Sequence, residues 1–302
     1  QSPVGIQPPG PPVWGSGTQT RQVLTMLRDR IVVILILIPI GVGLLLAGGV
    51  WYAGCIALLL CMAAWEYARL FSKPDLHIPP GIVAVGVAAL IILRWGYGFD
   101  HMGIALTGII FLSMIWFLIR SERGDEKHSA SAMGITLGGT LYLGWFSAYF
   151  ISLRQLPYGL WWTMACLVAV GLTDSMAFLV GKRWGKHPLT RYISPNKTWE
   201  GFFGGWVGAT LGGWAIGWIF QSAASPASGI TPLGGLVLGF MIGLLSPLGD
   251  LTISLMKREA AQKDSGDFFP GHGGILDRID SWIIMAVVGY YVVNNLIPIL
   301  HW

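Results

Sequence analysis

Residues 31–65 contain no charged side chain, and this run constrains the fold more than any other feature of the sequence. An α-helix needs about 20 mostly apolar residues to cross a bilayer. The run is too long for one such helix, so it predicts two membrane-spanning helices with a turn near Gly48 and Gly49. Helices are the expected element because lipid offers no hydrogen-bond partner to an unpaired backbone group.

The composition of the whole chain agrees with a membrane protein. Hydrophobic residues make up 54% of its 302 residues and charged residues only 11%, whereas soluble domains carry about 25% charged residues. The net charge of +4 is small, and the basic residues are confined to a few loops. This distribution favours membrane topology and anionic head groups as the reason for the basic residues, and it argues against nucleic acid as a partner.

Seven further apolar segments are candidate spans, at 80–94, 101–119, 133–153, 160–180, 201–220, 230–256 and 279–300. The sequence therefore predicts an all-α integral membrane protein with about nine transmembrane helices. If the N-terminus is cytoplasmic and the C-terminus outside, 17 of the 19 Lys and Arg residues fall on the cytoplasmic side. That distribution is the one expected from the positive-inside rule.

The chain divides into three regions. Residues 1–20 are rich in Pro and Gly and carry no charge, so they predict a disordered tail without the pattern of a signal peptide. Residues 21–132 predict a set of N-terminal transmembrane helices. Residues 133–302 predict a C-terminal catalytic transmembrane region, because the motifs that could carry chemistry lie there.

Acidic residues inside spans mark candidate sites, because each costs a few kcal/mol at the bilayer centre and usually serves a function. Asp174 lies in the sixth span. Asp250 lies in the eighth, directly after a Ser-Pro-Leu-Gly sequence that would loosen the helix. Glu66 lies near the inner end of the second span beside Arg69, and this position predicts an interfacial ion pair rather than a role in a site.

If the eighth helix continues past residue 256, four polar residues share one helix face, with spacings of i, i+4, i+7 and i+8. They are Asp250, Ser254, Lys257 and Arg258. Asp277 and Asp280 are i, i+3 neighbours at the start of the ninth helix. Carboxylates at a helix N-terminus can act as caps, but acids on two neighbouring helices also supply the oxygen ligands that Mg²⁺ prefers. We expect a metal site here, with capping as the alternative.

A glycine-rich turn, residues 270–274, lies in the loop between these two helices. Glycine lets backbone N–H groups approach a phosphate closely. The basic residues around the turn are Lys257, Arg258, Lys263 and Arg278. Together these groups predict a cradle for a nucleoside triphosphate, in which His272 contributes to binding rather than to catalysis. A plain positive-inside loop is the alternative.

A second polar loop, residues 181–200, carries five Lys or Arg residues and a Ser-Pro-Asn-Lys-Thr turn at 194–198. Taken alone, this loop is equally compatible with a topology signal and with a substrate-binding site. Its basic residues fall on the same predicted side of the membrane as those of the first loop.

The stretch 254–280 resembles, without a gap, the signature of the phosphatidate cytidylyltransferases (CDP-diacylglycerol synthases), S-x-x-K-R-x4-K-D-x-G-x-x-F-P-x-H-G-G-x-x-D-R-x-D. Residues 194–201 resemble the S-P-x-K-T-x-E-G motif of that family. The D-x-x-A-Y-x-x-G-x-x-x-G motif also appears, beginning at Asp174, but with Phe178 where Tyr is usual. The resemblance covers the C-terminal half, whereas the first 130 residues match only as apolar spans.

The resemblance implies a reaction of CTP with phosphatidate that gives CDP-diacylglycerol and pyrophosphate and requires Mg²⁺, with a monovalent ion such as K⁺ as a further candidate. The implied metal ligands are Asp174, Asp250 and Asp277. The implied catalytic residues are Asp250, Asp277, Lys263 and Asp280. The implied substrate-binding residues are Ser194, Lys197, Ser254, Lys257, Arg258, Asp264, His272, Gly273, Gly274 and Arg278.

The implied location is a bacterial inner membrane, with the site facing the cytoplasm so that CTP arrives from water while the acyl chains stay in lipid. The expected partners are CTP, phosphatidate and membrane lipid, and a homodimer is left open. Two other functions also remain open at this point. One is a CTP-dependent enzyme acting on another lipid, and the other is an ion-coupled transporter that uses Asp174 and Asp250 as relay groups.

Overall fold

The computed structural model describes residues 39–124, 128–223, 230–266 and 273–299. The chain divides into two compact units, Gln1–Gly43 and Leu44–Trp302. In the first unit the described residues, 39–43, are helical. The predicted tail, 1–20, lies outside the described residues. Every helix labelled below belongs to the second unit.

Helices make up the regular structure of the described ranges, which otherwise hold two isolated β-bridges. The N-terminal helices are α1 (Gly49–Phe71), α2 (Pro80–Tyr97), α3 (Met102–Glu122) and α4 (Ser129–Thr140). A π-helical turn, Leu141–Phe146, connects α4 to α5 (Tyr149–Gln155). The predicted break before α1 is confirmed, because Gly48 and Gly49 have φ angles of 62° and 51°, which favour glycine.

The C-terminal helices are α6 (Gly159–Trp184), α7 (Trp199–Ala223), α8 (Pro232–Leu245), α9 (Pro247–Glu259) and α10 (Leu276–Tyr291). α10 continues through a π-helical segment, Val292–Leu296, into the short α11, Ile297–Ile299. One turn residue, Ser246, separates α8 from α9. The loosening predicted for the eighth span is therefore confirmed, and it falls just before Asp250.

Six helical segments are long and apolar enough to cross a membrane, so this is an integral membrane protein. They are Gly49–Phe71, Pro80–Tyr97, Met102–Glu122, Gly159–Trp184, Pro232–Glu259 and Leu276–Ile299. α7 has the length of a span, but its many glycines and tryptophans lower its hydropathy. The π-helical turn divides the predicted fifth span into α4 and α5, each too short to cross alone.

α7 packs through a stripe of small residues. Its buried positions recur every four residues and are Gly201, Gly205, Ala209, Gly213 and Gly217. A side chain added at Gly213 would overlap the backbone carbonyl of Gly235 on α8, and one at Gly217 would lie 2.5 Å from the carbonyl oxygen of Thr231. The two backbones therefore touch, as small-residue interfaces between membrane helices allow.

The same stripe also holds α7 against α6. A Cβ atom at Gly205 would lie 2.6 Å from the carbonyl oxygen of Thr173, and one at Gly201 would lie 2.7 Å from that of Ala177. Asp174 follows Thr173 directly, so it lies next to a point where the backbones of α6 and α7 are in close contact. The glycine stripe thus sets the position of an intramembrane acid.

α9 and α10 make a similar contact. A side chain at Gly249 would overlap the backbone carbonyl of Asp280. Because Asp250 follows Gly249, this contact brings the first turn of α9 next to Asp280 on α10. Two of the predicted acids are therefore close because a glycine permits the two backbones to meet.

We expect Gly213→Ala to destabilise the protein, because its methyl group would overlap the carbonyl of Gly235. Overpacking of this kind costs about 1–3 kcal/mol, and each kcal/mol lowers the unfolding midpoint of a large domain by about 2–4 °C. Gly171→Ala in α6 is the matched control, since a Cβ atom there meets nothing within 4 Å. Thermal unfolding in detergent measures both variants, and equal midpoints would contradict the packing described for α7.

Candidate active site

Asp250 lies in the first turn of α9 and receives two hydrogen bonds. Ser254 Oγ, one helical turn later, donates to Asp250 Oδ1 at 3.2 Å. The ammonium group of Lys197 donates to Asp250 Oδ2 and forms an ion pair with it. The i, i+4 contact agrees with the spacing of the sequence, whereas the Lys197 contact joins two residues that lie 53 positions apart.

Two further carboxylates, Asp174 on α6 and Asp280 on α10, interact electrostatically with this pair. Asp174 interacts with Lys197 and Asp250, and Asp280 interacts with all three. The Asp280 carboxylate also accepts a hydrogen bond from the backbone N–H of Ser281 at 2.6 Å. We call Asp174, Asp250 and Asp280 the carboxylate cluster. One ammonium group, that of Lys197, pairs with Asp250 and interacts electrostatically with the other two acids, so the cluster can accommodate further positive charge.

Asp277 has different partners. Lys257 Nζ donates to its Oδ1 at 2.5 Å, and this ion pair is largely buried. The backbone N–H of Ser265 donates to Oδ2 at 3.0 Å, the Ser265 hydroxyl at 2.9 Å, and the backbone N–H of Gly274 at 3.3 Å. The predicted set of Asp174, Asp250 and Asp277 is therefore divided: the first two lie in the carboxylate cluster, and Asp277 organises the loop.

The carboxylate cluster fits a hard divalent cation by the chemistry of its donors. Mg²⁺ in proteins usually takes one or two carboxylates and completes its shell with water and substrate phosphates. Within the described ranges, no three Asp, Glu, His or Cys residues are already arranged as a metal cage. A cation held here would therefore draw part of its coordination from a phosphate-bearing substrate.

The loop 185–198 is ordered by its own hydrogen bonds. His187 Nδ1 donates to Glu200 Oε1 at 2.6 Å, and the backbone N–H of Lys186 donates to Oε2 at 3.1 Å. These hydrogen bonds, that from His187 above all, lower the pKa of Glu200 to about 2. Thr198 accepts from the backbone N–H of Gly201 at 3.1 Å and so caps the start of α7.

This loop also meets the end of α9. Arg258 Nε donates to the carbonyl oxygen of Ile193 at 3.2 Å. The backbone N–H of Ser194 donates a hydrogen bond to Thr190 Oγ1 at 3.0 Å. The carbonyl oxygen of Ser194 accepts one from the backbone N–H of Lys197 at 3.2 Å. The structure therefore brings the two polar loops of the sequence together.

Four of the remaining predicted residues are charged and solvent-exposed. The side chains of Lys263, Asp264, Arg258 and Arg278 are exposed. Gly273 has a φ of 76°, a conformation that favours glycine. His272 lies outside the described residues. Phe178, at the family's tyrosine position, is 65% exposed, so the substitution removes a hydroxyl without leaving a gap in the core.

Glu66 is the main correction to the sequence analysis. Its side chain, on α1, is buried, and its carboxylate accepts from the backbone N–H groups of Ile275 at 2.7 Å and Leu276 at 3.3 Å. The predicted interfacial ion pair is wrong: the exposed Arg69 instead lies over the ring of Trp65. The available signal was an acid within the apolar α1, but its partners are about 200 positions away in the sequence.

Tyr142 is a second residue that the sequence analysis missed. It lies in the π-helical turn between α4 and α5, and such turns are frequent at functional sites. Its hydroxyl is buried and has no hydrogen-bond partner within the described ranges. The Asp250 and Asp280 carboxylates are among its electrostatic neighbours. Hydrophobic periodicity gives no sign of a π-helical turn, so nothing in the pattern pointed to this tyrosine.

A family model and similar curated proteins both indicate a cytidylyltransferase. Residues 28–296 match the model of the Cytidylyltransferase family. A phosphatidate cytidylyltransferase of Synechocystis is 31% identical over 91% of this chain and 99% of its own length. One from Bacillus subtilis is 34% identical over 76% of this chain and 84% of its own. A chloroplast phosphatidate cytidylyltransferase of Arabidopsis thaliana is 33% identical over 83% and 68%.

Proposed function

The chain belongs to the cytidylyltransferase family, and from this premise we propose that it transfers a cytidylyl group from CTP to phosphatidate, releasing pyrophosphate and CDP-diacylglycerol. The observation that carries the proposal is the ion pair between Lys197 and Asp250. This pair joins the 194–201 motif to Asp250, which accepts a hydrogen bond from Ser254, the first residue of the 254–280 signature. Two further acids interact electrostatically with the pair.

The substrate supplies the nucleophile. A phosphate monoester has a second pKa near 6 and is mostly dianionic at neutral pH. A phosphatidate oxygen forms a bond to the α-phosphorus of CTP as the bond from that phosphorus to the bridging oxygen of pyrophosphate breaks. The protein needs to align the two groups and to offset their negative charge. This mechanism requires no covalent intermediate with a protein side chain.

Basic side chains are assigned to the phosphates. Lys257, Arg258 and Arg278 would neutralise the triphosphate, and Lys263 would act at the reacting centre. The other proposed substrate-binding residues are Ser194, Lys197, Ser254, Asp264, His272, Gly273 and Gly274. Support comes from the contact between the two loops through Arg258 and from the exposure of Lys263 and Arg278, which leaves them accessible to a nucleotide.

Asp174, Asp250 and Asp277 are the proposed Mg²⁺ ligands, with Asp280 as a further catalytic acid beside them. Mg²⁺, when bound, supplies Lewis-acid polarisation of the α-phosphorus and charge compensation for pyrophosphate. In the arrangement described, Asp277 is paired with Lys257, so its role toward the metal requires an exchange of that partner. A companion K⁺ stays a prediction.

The proposal includes nine spans, a cytoplasmic N-terminus and an outside C-terminus, in a bacterial inner membrane. The six candidate spans, the joined pair α4 and α5, α7, and one segment before Gly48 would give that number. With this topology both polar loops face the cytoplasm, where CTP is available, while the acyl chains remain in lipid. The homodimer stays a prediction, and so does the boundary at residue 132 between the N-terminal helices and the catalytic region.

Purified protein in detergent, with labelled CTP, phosphatidate and Mg²⁺, tests the proposed reaction. We expect a cytidine-bearing lipid and an equal amount of pyrophosphate, without any ion gradient. A polyprenyl phosphate or an ether-linked phosphatidate in place of phosphatidate tests for another lipid substrate. Turnover with only such a lipid, or substrate accumulation in sealed vesicles without pyrophosphate release, would contradict the proposal.

We expect Asp277→Asn to lose turnover by about 100-fold or more, the size of loss seen when one electrostatic contact to a transition state is removed. The amide keeps an oxygen for the Ser265 and Gly274 N–H groups, so the variant should remain folded. Asp100→Asn, at an exposed acid between α2 and α3, is the control. A loss no larger than that of the control would remove Asp277 from the catalytic residues.

A further inference from the structure

Glu66 lies outside every motif of the site, yet its carboxylate contacts the signature loop directly. It is on α1, about 200 positions before the residues that it contacts. We propose that Glu66 is a positioning residue for the loop that connects α9 to α10. It holds the start of α10 and, through Ser265, the position of Asp277. This inference rests on the proposed function, because it assigns the loop to CTP.

The first support is the capping of α10. The N-terminal N–H groups of a helix lack partners within the helix and favour a negative charge. Ile275 and Leu276 supply such groups, and the two oxygens of Glu66 accept from them at 2.7 and 3.3 Å. The cap that holds α10 therefore comes from α1 and not from the loop itself.

The second support is a chain of contacts that leads to Asp277. The hydroxyl of Ser265 contacts both Glu66 Oε1 and Asp277 Oδ2, and Ser265 is 6% exposed. Asp277 Oδ2 also accepts from the backbone N–H of Gly274. A displacement of the Glu66 carboxylate would therefore move Ser265 and Gly274, both of which donate hydrogen bonds to Asp277.

The third support is the space that Glu66 occupies. A side chain at Gly274 would overlap Glu66 Oε1, and one at Gly266 would come within 3.0 Å of Glu66 Cδ. Two glycines of the signature are thus closely fitted to the same carboxyl group. At Gly274 in particular, Glu66 and the Ser265 hydroxyl that contacts it leave no room for a side chain.

The test is a double-mutant cycle between Glu66→Ala and Gly274→Ala, measured as kcat/KM for CTP. Each single variant should lose about 10- to 100-fold, because each disturbs a buried, hydrogen-bonded charge. The double variant should lose less than the product of the two single losses, since Glu66→Ala removes the closest of the atoms that the new methyl group would meet, although the Ser265 hydroxyl remains. If the loss in kcat/KM of the double variant equalled the product of the two single losses, the direct contact between Glu66 and residue 274 would be excluded.

Glu66→Gln is the matched control. It keeps the volume of the side chain, so it should not rescue Gly274→Ala, although it replaces one acceptor by a donor facing the α10 N–H groups. If Glu66→Gln restored the activity of Gly274→Ala as well as Glu66→Ala does, the overlap between a side chain at 274 and the Glu66 carboxyl group would not be the cause of the loss. If Glu66→Ala is not monodisperse in detergent, Glu66→Gln alone should still raise the KM for CTP more than that for phosphatidate. An unchanged ratio of the two KM values would overturn the positioning role.

Hydrogen–deuterium exchange separates this inference from the proposed function. In the protein without substrate, Glu66→Gln should speed exchange in a peptide covering 273–280, while a peptide within α7 should exchange as in the wild type. This readout needs no turnover. Faster exchange in a protein that lacks cytidylyltransferase activity would retain the Glu66 contact and reject the reaction, whereas unchanged exchange would reject the contact.

Discussion

Close contact between helix backbones at glycine is the constraint on which the site depends. Gly249 lets α9 touch α10 at the carbonyl of Asp280, and Gly205 lets α7 touch α6 one residue before Asp174. Asp250 follows Gly249, so the same contacts that pack the helices also set the spacing of their acids. In lipid, where apolar surface provides little attraction between helices, such small-residue contacts are a main source of helix association. Packing and site geometry therefore have one cause.

We propose that the carboxylate cluster binds positive charge. Acids at membrane depth are costly and persist where they have partners or a function. Lys197 pairs with one of the three acids, Asp250, and it comes from a loop that is held separately by His187 and Glu200. The ordering of that loop thus supports the charge balance among α6, α9 and α10. A phosphate-bound cation would complete the balance.

Much of this was accessible from the sequence, and the limits have physical reasons. Helical spacing predicted that Ser254 would reach Asp250, because contacts one turn apart are local. The pairing of Lys257 with Asp277 and the capping of α10 by Glu66 depend on tertiary approach between distant segments, which periodicity cannot report. The π-helical turn that holds Tyr142 breaks the period on which a span is recognised. The apolar runs of the sequence predicted where the helices lie. The motifs identified the acidic residues but not the side chains and N–H groups that they contact.

Metal binding measures the central claim most directly. Mn²⁺ can replace Mg²⁺ as a paramagnetic probe, and its electron paramagnetic resonance signal reports free and bound ion in the purified protein with CTP. The wild type should bind the ion, and Asp250→Asn should weaken binding by about tenfold or more, because a direct charged ligand is worth at least about 1.4 kcal/mol. Equal Mn²⁺ affinity in the wild type and Asp250→Asn would contradict the account of the carboxylate cluster.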